Sequence, residues 1–171
     1  MGKIIFISGG ARSGKSRYAV KLIGRDKNVA FIATCQPLDK EMAKRIDLHK
    51  KARPRYWQTF EEPQNVSALL EKIKGKYEWI LIDCLTLLVS NLLLKRIKED
   101  AIKGKVNKIL SILKKAKTKS IIISNEVGLG IVPKSKLARD FRDIAGRTNQ
   151  IVAEGADEVF FMVSGIPWRL K

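Results

Sequence analysis

Lys3-Ile4-Ile5-Phe6-Ile7-Ser8-Gly9-Gly10-Ala11-Arg12-Ser13-Gly14-Lys15-Ser16-Arg17-Tyr18-Ala19-Val20-Lys21-Leu22-Ile23 is the stretch on which the fold turns. Its first six residues form a short apolar run that reads as a buried strand. Its last seven read as a helix. Between them, Gly9 to Ser16 fit the phosphate-binding pattern G-x-x-x-x-G-K-[ST]. A glycine-rich turn from strand to helix points successive backbone N–H groups, and the positive end of the helix dipole, at one spot. Lys15 adds a full charge for the β- and γ-phosphates, and the Ser16 hydroxyl is suited to Mg²⁺. An ordinary Gly-rich turn is the competing account, and the strand–helix context disfavours it. The pattern predicts a bound nucleoside triphosphate.

Working outward, further apolar bursts at Val29–Ala33, Ile80–Ile82, Ile121–Ile123 and Val159–Val163 alternate with longer amphipathic segments. Helices are expected over Lys15–Ile23, Lys40–Lys51, Asn65–Lys74, Leu85–Lys95, Ala101–Lys117 and Lys136–Gly155, with a short extra strand within Tyr56–Phe60. Continuous apolar strands separated by helices indicate an α/β fold, a mostly parallel sheet with helices on both faces. In such sheets ligands gather at the carboxyl ends of the strands. That rule gathers Ser8–Ser16, Thr34-Cys35-Gln36, Asp83-Cys84 and Asn125-Glu126 on one rim.

At 171 residues, residues 1–171 are expected to form one domain with a real core. The longest apolar run, Trp79 to Leu94, is cut by Asp83 and Asn91, so no membrane span is expected. A phosphate loop stands where a signal peptide's cleavage site would be needed. Two cysteines, Cys35 and Cys84, fit reduced thiols in a cytoplasmic protein. The net charge of +17 raises the question of a nucleic-acid partner. Lysine-rich solvated helix faces and a site for anionic substrates account for it without one, and neither an RNA-binding aromatic motif nor zinc-finger spacing accompanies the lysines.

Three constellations carry candidate chemistry. Trp79-Ile80-Leu81-Ile82-Asp83 is a hydrophobic strand ending in a carboxylate, which beside a phosphate loop serves to hold Mg²⁺. His49 is the single histidine, with Arg45 a helical turn before it and Lys50, Arg53 and Arg55 after it. Those cations disfavour imidazolium and keep the ring neutral and nucleophilic. They also offset the charge of a phosphate it would attack. Asn125-Glu126-Val127-Gly128-Leu129-Gly130 follows a strand, with Glu126 either orienting a hydroxyl or metal-bound water or lying in a capped turn. Arg139, Arg142 and Arg147 on the last long helix bind phosphates, meet a neighbouring subunit, or face solvent.

Together these residues resemble the bifunctional adenosylcobinamide kinase/adenosylcobinamide-phosphate guanylyltransferase family of cobalamin biosynthesis. The resemblance runs through Ile7–Ser16, Ile32-Ala33-Thr34, Glu41-Met42, Arg45-Ile46 and His49-Lys50. It continues through Asn125–Pro133, Arg142–Gln150 and Val163-Ser164-Gly165. It implies a RecA-like phosphate-loop fold, a kinase step that phosphorylates adenosylcobinamide from ATP or GTP, and transfer of GMP from GTP to the product. It implies that His49 becomes a guanylyl-histidine. It also places nucleotide binding on Gly9, Gly10, Ala11, Arg12, Ser13, Gly14, Lys15 and Ser16, on Thr34, Cys35 and Gln36, on Lys50, Lys51, Ala52 and Arg53, on Glu61 and on Asp83. Ser16 and Asp83 would hold Mg²⁺. A homotrimer is implied, with helix arginines at subunit contacts. Residue 52 is Ala where relatives often have Gly, and Leu48 stands where some have histidine. A simple phosphate-loop kinase of another small alcohol and a RecA-like nucleic-acid NTPase are the alternatives.

Overall fold

The first strand, β1 (Lys3–Gly9), is exposed only at Lys3 and buried from Ile4 onward. Residues apolar on both faces of the chain demand cover on both faces, and a parallel sheet supplies it. The computed structural model describes residues 2–36, 50 and 53–171. After β1 come α1 (Lys15–Ile23), β2 (Val29–Ala33), β3 (Gln58–Glu61), α2 (Val66–Ile73), β4 (Trp79–Asp83) and α3 (Leu85–Leu94). Then follow α4 (Glu99–Lys115), β5 (Lys119–Ile123), α5 (Lys136–Gly155), β6 (Glu158–Val163) and β7 (Ile166–Arg169).

The described strands form one sheet in the order β3-β2-β4-β5-β1-β6-β7. Every neighbouring pair is parallel except β6 and β7, which run antiparallel. Successive side chains leave a strand on opposite faces, and the core divides accordingly. Ile4, Phe6, Ile32, Ile80, Ile82 and Ile122 pack on one face against Leu70 of α2, Leu88 of α3, Leu113 of α4 and Val152 of α5. Ile5, Ile7, Phe31, Leu81, Ile121 and Ile123 pack on the other, chiefly against Ala19 and Ile23 of α1 and against Trp57. The expected two-faced cover is there, and among the described residues it is lopsided.

Local chemistry sets the boundaries. α4 starts at Glu99, with Glu99 and Asp100 in its first turn and Lys114 and Lys115 in its last. Both ends therefore complement the helix dipole, and the helix begins before the expected Ala101. α5 is capped by Ser135, whose hydroxyl accepts from Ala138 N. The short strand expected within Tyr56–Phe60 is β3, from Gln58 to Glu61. The helix expected over Lys40–Lys51 lies outside the described residues apart from Lys50.

Candidate nucleotide and phosphate-transfer site

The loop from Gly9 to Ser16 leaves the end of β1 and enters α1, and its backbone requires its glycines. Gly9 has φ 145°, and a Cβ there would stand 2.6 Å from the carbonyl oxygen of Met162. Gly14, at φ 95°, caps α1 in the left-handed region. Further bonds hold the arc in place: Gly165 N donates to Ser13 O at 3.0 Å, and Glu126 N donates to Gly9 O at 3.0 Å. The buried Lys15 ammonium donates to Gly9 O at 2.9 Å and Gly10 O at 2.6 Å, inside the arc it forms. Ser16 Oγ donates to Asp83 Oδ2 at 2.9 Å. The two residues expected to share a metal, 67 positions apart in the chain, thus touch.

The second cluster lies along β2 and β3. Ala33 is paired with Glu61 on one side and with Asp83 on the other, so the two carboxylates stand at one level of the sheet. Lys50 Nζ meets Glu61 Oε1 at 2.7 Å. The Arg53 guanidinium lies 3.8 Å from the centroid of the Phe31 ring and donates to Thr59 Oγ1 at 3.4 Å. Burial lowers the Arg53 pKa from its ordinary value, opposed by the carboxylates of Asp83 and Glu61. Lys50, Arg53, Trp57, Thr59 and Glu61 help line a cavity of about 370 Å³. Cations, a carboxylate and an aromatic side chain together suit a phosphate and a nucleobase.

Buried polar groups tie the two clusters together. Thr34 N donates to Asp83 O at 3.1 Å. Thr34 Oγ1 donates to Cys84 O at 2.7 Å and accepts from Cys84 N at 2.8 Å. Cys35 and Gln36 follow at the half-buried edge. Burial, then the Asp83 charge, push the Cys84 thiol up to about 12, so it is no nucleophile near neutral pH. Next along the rim, Thr86 Oγ1 and Ser124 Oγ lie 2.9 Å apart, and Asn125 N donates to Thr86 Oγ1 at 2.6 Å.

The structure thus brings Gly9–Ser16, Thr34–Gln36, Lys50, Arg53, Glu61 and Asp83 to one rim. His49, Lys51 and Ala52 lie outside the described residues. Glu126 Oε1 accepts from Gly128 N at 2.7 Å, the capped turn that was one of its two accounts. The arginines of α5 are engaged within the chain. Arg139 donates to Pro133 O and Lys134 O, Arg142 pairs with Asp143, and Arg147 with Glu99. Thr86, Asn91 and Asn149 escaped sequence reasoning. Their signal, a polar residue on an otherwise apolar helix face, is faint.

Residues 5–170 match the family model described as cobinamide kinase/cobinamide phosphate guanyltransferase. The chain belongs to this family. It is 42% identical over 180 residues to the bifunctional adenosylcobalamin biosynthesis protein CobU of Escherichia coli (strain K12), an alignment covering 98% of this chain and 99% of the relative. The same protein of Salmonella typhimurium is also 42% identical, with the same coverage. The bifunctional adenosylcobalamin biosynthesis protein CobP of Pseudomonas aeruginosa is 42% identical over 166 residues, 96% of this chain and 95% of its own. Among solved structures, a KaiC-like protein of Pyrococcus horikoshii superposes with TM-score 0.53 at 15% identity, covering 94% of this chain and 70% of that one. That likeness concerns the fold alone, a mostly parallel sheet covered by helices. This family member carries the fold's phosphate loop on β1 and its acidic strand end on β4, with β5 between them.

Proposed function

We propose that this protein performs both reactions of its family on one nucleotide site, as a single domain. The observation that carries the proposal is the phosphate loop whose Ser16 hydroxyl meets the Asp83 carboxylate, in a chain matching the family from residue 5 to 170. In the kinase step the aminopropanol hydroxyl of adenosylcobinamide takes the γ-phosphate of ATP or GTP, and the nucleoside diphosphate leaves. Lys15 and the loop amides bind the β- and γ-phosphates and stabilise the charge that moves to the leaving oxygen.

In the transferase step an imidazole nitrogen of His49 attacks the α-phosphorus of GTP. The bond to the β-phosphate breaks and pyrophosphate leaves. An oxygen of adenosylcobinamide phosphate then attacks the guanylyl group, the P–N bond breaks, and adenosylcobinamide-GDP is released with His49 restored. Direct attack of one phosphate on another is slowed by like charges, and a neutral imidazole divides it into two easier steps. Lys50, Lys51, Ala52, Arg53 and Glu61, with Thr34, Cys35 and Gln36, bind the rest of the nucleotide. The Lys50–Glu61 pair and the cavity beside Arg53 support this assignment.

Mg²⁺ fits the residues at hand. Ser16 and Asp83 present a hydroxyl and a carboxylate oxygen side by side, the hard ligands this ion takes together with water and phosphate oxygens. When bound, it would neutralise charge on the phosphates.

Among the described residues no helix is long and apolar enough to cross a membrane. Work in the cytoplasm is part of the proposal, supported by a sequence with two cysteines in all. A homotrimer is part of the proposal, supported by exposed apolar side chains on the edge strand: Ile166 and Trp168, with Leu170 beyond it.

Incubation with GTP labelled at the α-phosphate tests the transferase. An acid-labile, alkali-stable protein adduct is expected, absent from His49→Ala. An unlabelled wild type, or a variant that labels equally, overturns the nucleophile. A simple kinase would move the γ-phosphate and form no such adduct.

A further inference from the structure

A cavity of about 190 Å³ lies where the phosphate loop meets the turn between β6 and β7. Gly14, Arg17, Tyr18, Lys21, Gly165 and Pro167 line it. Glycines let loop and turn approach: Gly165 N donates to Ser13 O at 3.0 Å, and a Cβ on Gly14 would stand 3.2 Å from Gly165 Cα. The Arg17 guanidinium lies against this seam, since a Cβ on Gly165 would stand 3.1 Å from Arg17 Nη2. Lys21 follows one helical turn later on the same face. Among the described residues neither cation has a carboxylate partner. Tyr18 is half-buried, its ring edge-on to Phe160 with centroids 5.4 Å apart. Arg17, Tyr18 and Lys21 take no part in the steps above.

The direction of a bound triphosphate singles this cavity out. Mg²⁺ held at Ser16 and Asp83 would bridge the β- and γ-phosphates, so the γ end of the chain lies toward Asp83 on β4. The loop stands at the end of β1, and the sheet order around it is β4-β5-β1-β6-β7. With the γ end toward β4, the α-phosphate and nucleoside run the other way, to β6 and β7. The cavity lies there, and its lining suits them. Arg17, next in sequence to Ser16, offers charged donors to the α-phosphate. The Tyr18 ring, Pro167 and the stem of Lys21 are surfaces on which a purine packs, and stacking tolerates either base. No carboxylate or amide side chain lines the cavity among the described residues, so nothing there tells adenine from guanine. The cavity beside Glu61 lies on β2 and β3, beyond β4 and past the γ end.

We propose that the cavity between α1 and the β6–β7 turn is a nucleoside subsite. It holds the purine and α-phosphate of the nucleotide whose γ-phosphate sits at Ser16 and Asp83, and it is separate from the cavity beside Glu61. The inference rests on the phosphate-loop reading above.

Two probes, titrated with Mg²⁺ and without an acceptor, test it by calorimetry: the β,γ-imido analogue of ATP and inorganic tripolyphosphate. Both engage the loop, and only the first carries a nucleoside. Tyr18→Ala is expected to weaken the analogue about tenfold, the scale of one lost stacking contact, and to leave tripolyphosphate within twofold of wild type. Pro167→Ala, on an exposed strand, should weaken the analogue about threefold with the same split, and serves if Tyr18→Ala does not fold. Photolabelling of the wild type with 8-azido-ATP, mapped by mass spectrometry, is expected to mark residues 17–21 or 164–168. Labelling confined to residues 50–61 overturns the subsite, as do folded variants that weaken both probes alike or neither. A wild type that binds neither probe overturns the phosphate-loop reading itself, and the subsite with it.

Discussion

Asp83 is reached by the Ser16 hydroxyl from across the sheet, and its carboxylate also acts on the Arg53 and Cys84 ionisations. A neutral amide at this position preserves the size and removes the charge. Asp83→Asn is expected to lower both the kinase and the labelling rate about a hundredfold or more, the scale on which loss of a pre-aligned electrostatic group acts. Steady-state kinetics on the two reactions check this, and a variant that loses only one would contradict a shared phosphate site. At this scale the sequence was legible wherever a residue's job is done by its own spacing. Lys15, Ser16 and Asp83 could be read because the loop pattern and a strand ending in Asp are local. Asn91 could not: in sequence it is a polar break in an apolar run, and its meaning lies in the carbonyls of Thr34 and Pro63, 57 and 28 residues away.

At the scale of elements, α4 and α5 are joined by charge as well as by packing. Arg147 Nε donates to Glu99 Oε1 at 2.6 Å and Nη2 to Oε2 at 2.9 Å, while Lys103 pairs with Glu99 from the next turn of α4. The hydrogen bonds from Arg147 and then Lys103 hold the Glu99 carboxyl down to about 2, from an ordinary 4.5. A depressed carboxyl favours the folded state above its unfolded pKa and ceases to do so as it is protonated. The contribution is therefore complete above about pH 4.5 and disappears as pH falls toward 2. Glu99→Gln is expected to lower Tm by about 1–3 °C at pH 7, as befits a solvent-screened pair. The gap from wild type should narrow below pH 4.5, as read by circular-dichroism melts. Elements with an apolar period of their own, such as α4 and α5, were legible. Strand β7 was not. Ile166-Pro167-Trp168-Arg169 is exposed throughout and contains a proline, so nothing in it alternates, and only its pairing with β6 makes it a strand.

For the whole molecule, the strand–helix alternation foretold a parallel sheet covered on both faces, and the sheet order could not be had from it. Order depends on which strands meet, and β5 lies between β4 and β1 although it follows both in sequence. The edge at β7 bears on assembly. Ile166 is 69% and Trp168 64% exposed, and an unpaired edge with apolar side chains invites a partner. Light scattering is expected to give about three times the 19.3 kDa of one chain, and Trp168→Glu is expected to shift the mass toward a single chain. A wild type that runs as a monomer at micromolar concentration contradicts the trimer.

Lys15 gives the site one more property. Its ammonium donates to two loop carbonyls, so a nucleotide bound as proposed competes for it as one ligand set displaces another. The net gain is a difference between two sets of oxygens. A lone monovalent anion offers little surplus over the carbonyls it replaces, whereas a polyphosphate chain engages the ammonium, the amides and Ser16 at once. In the nucleotide site proposed above, these internal bonds would set a threshold that a polyphosphate passes and a small anion does not.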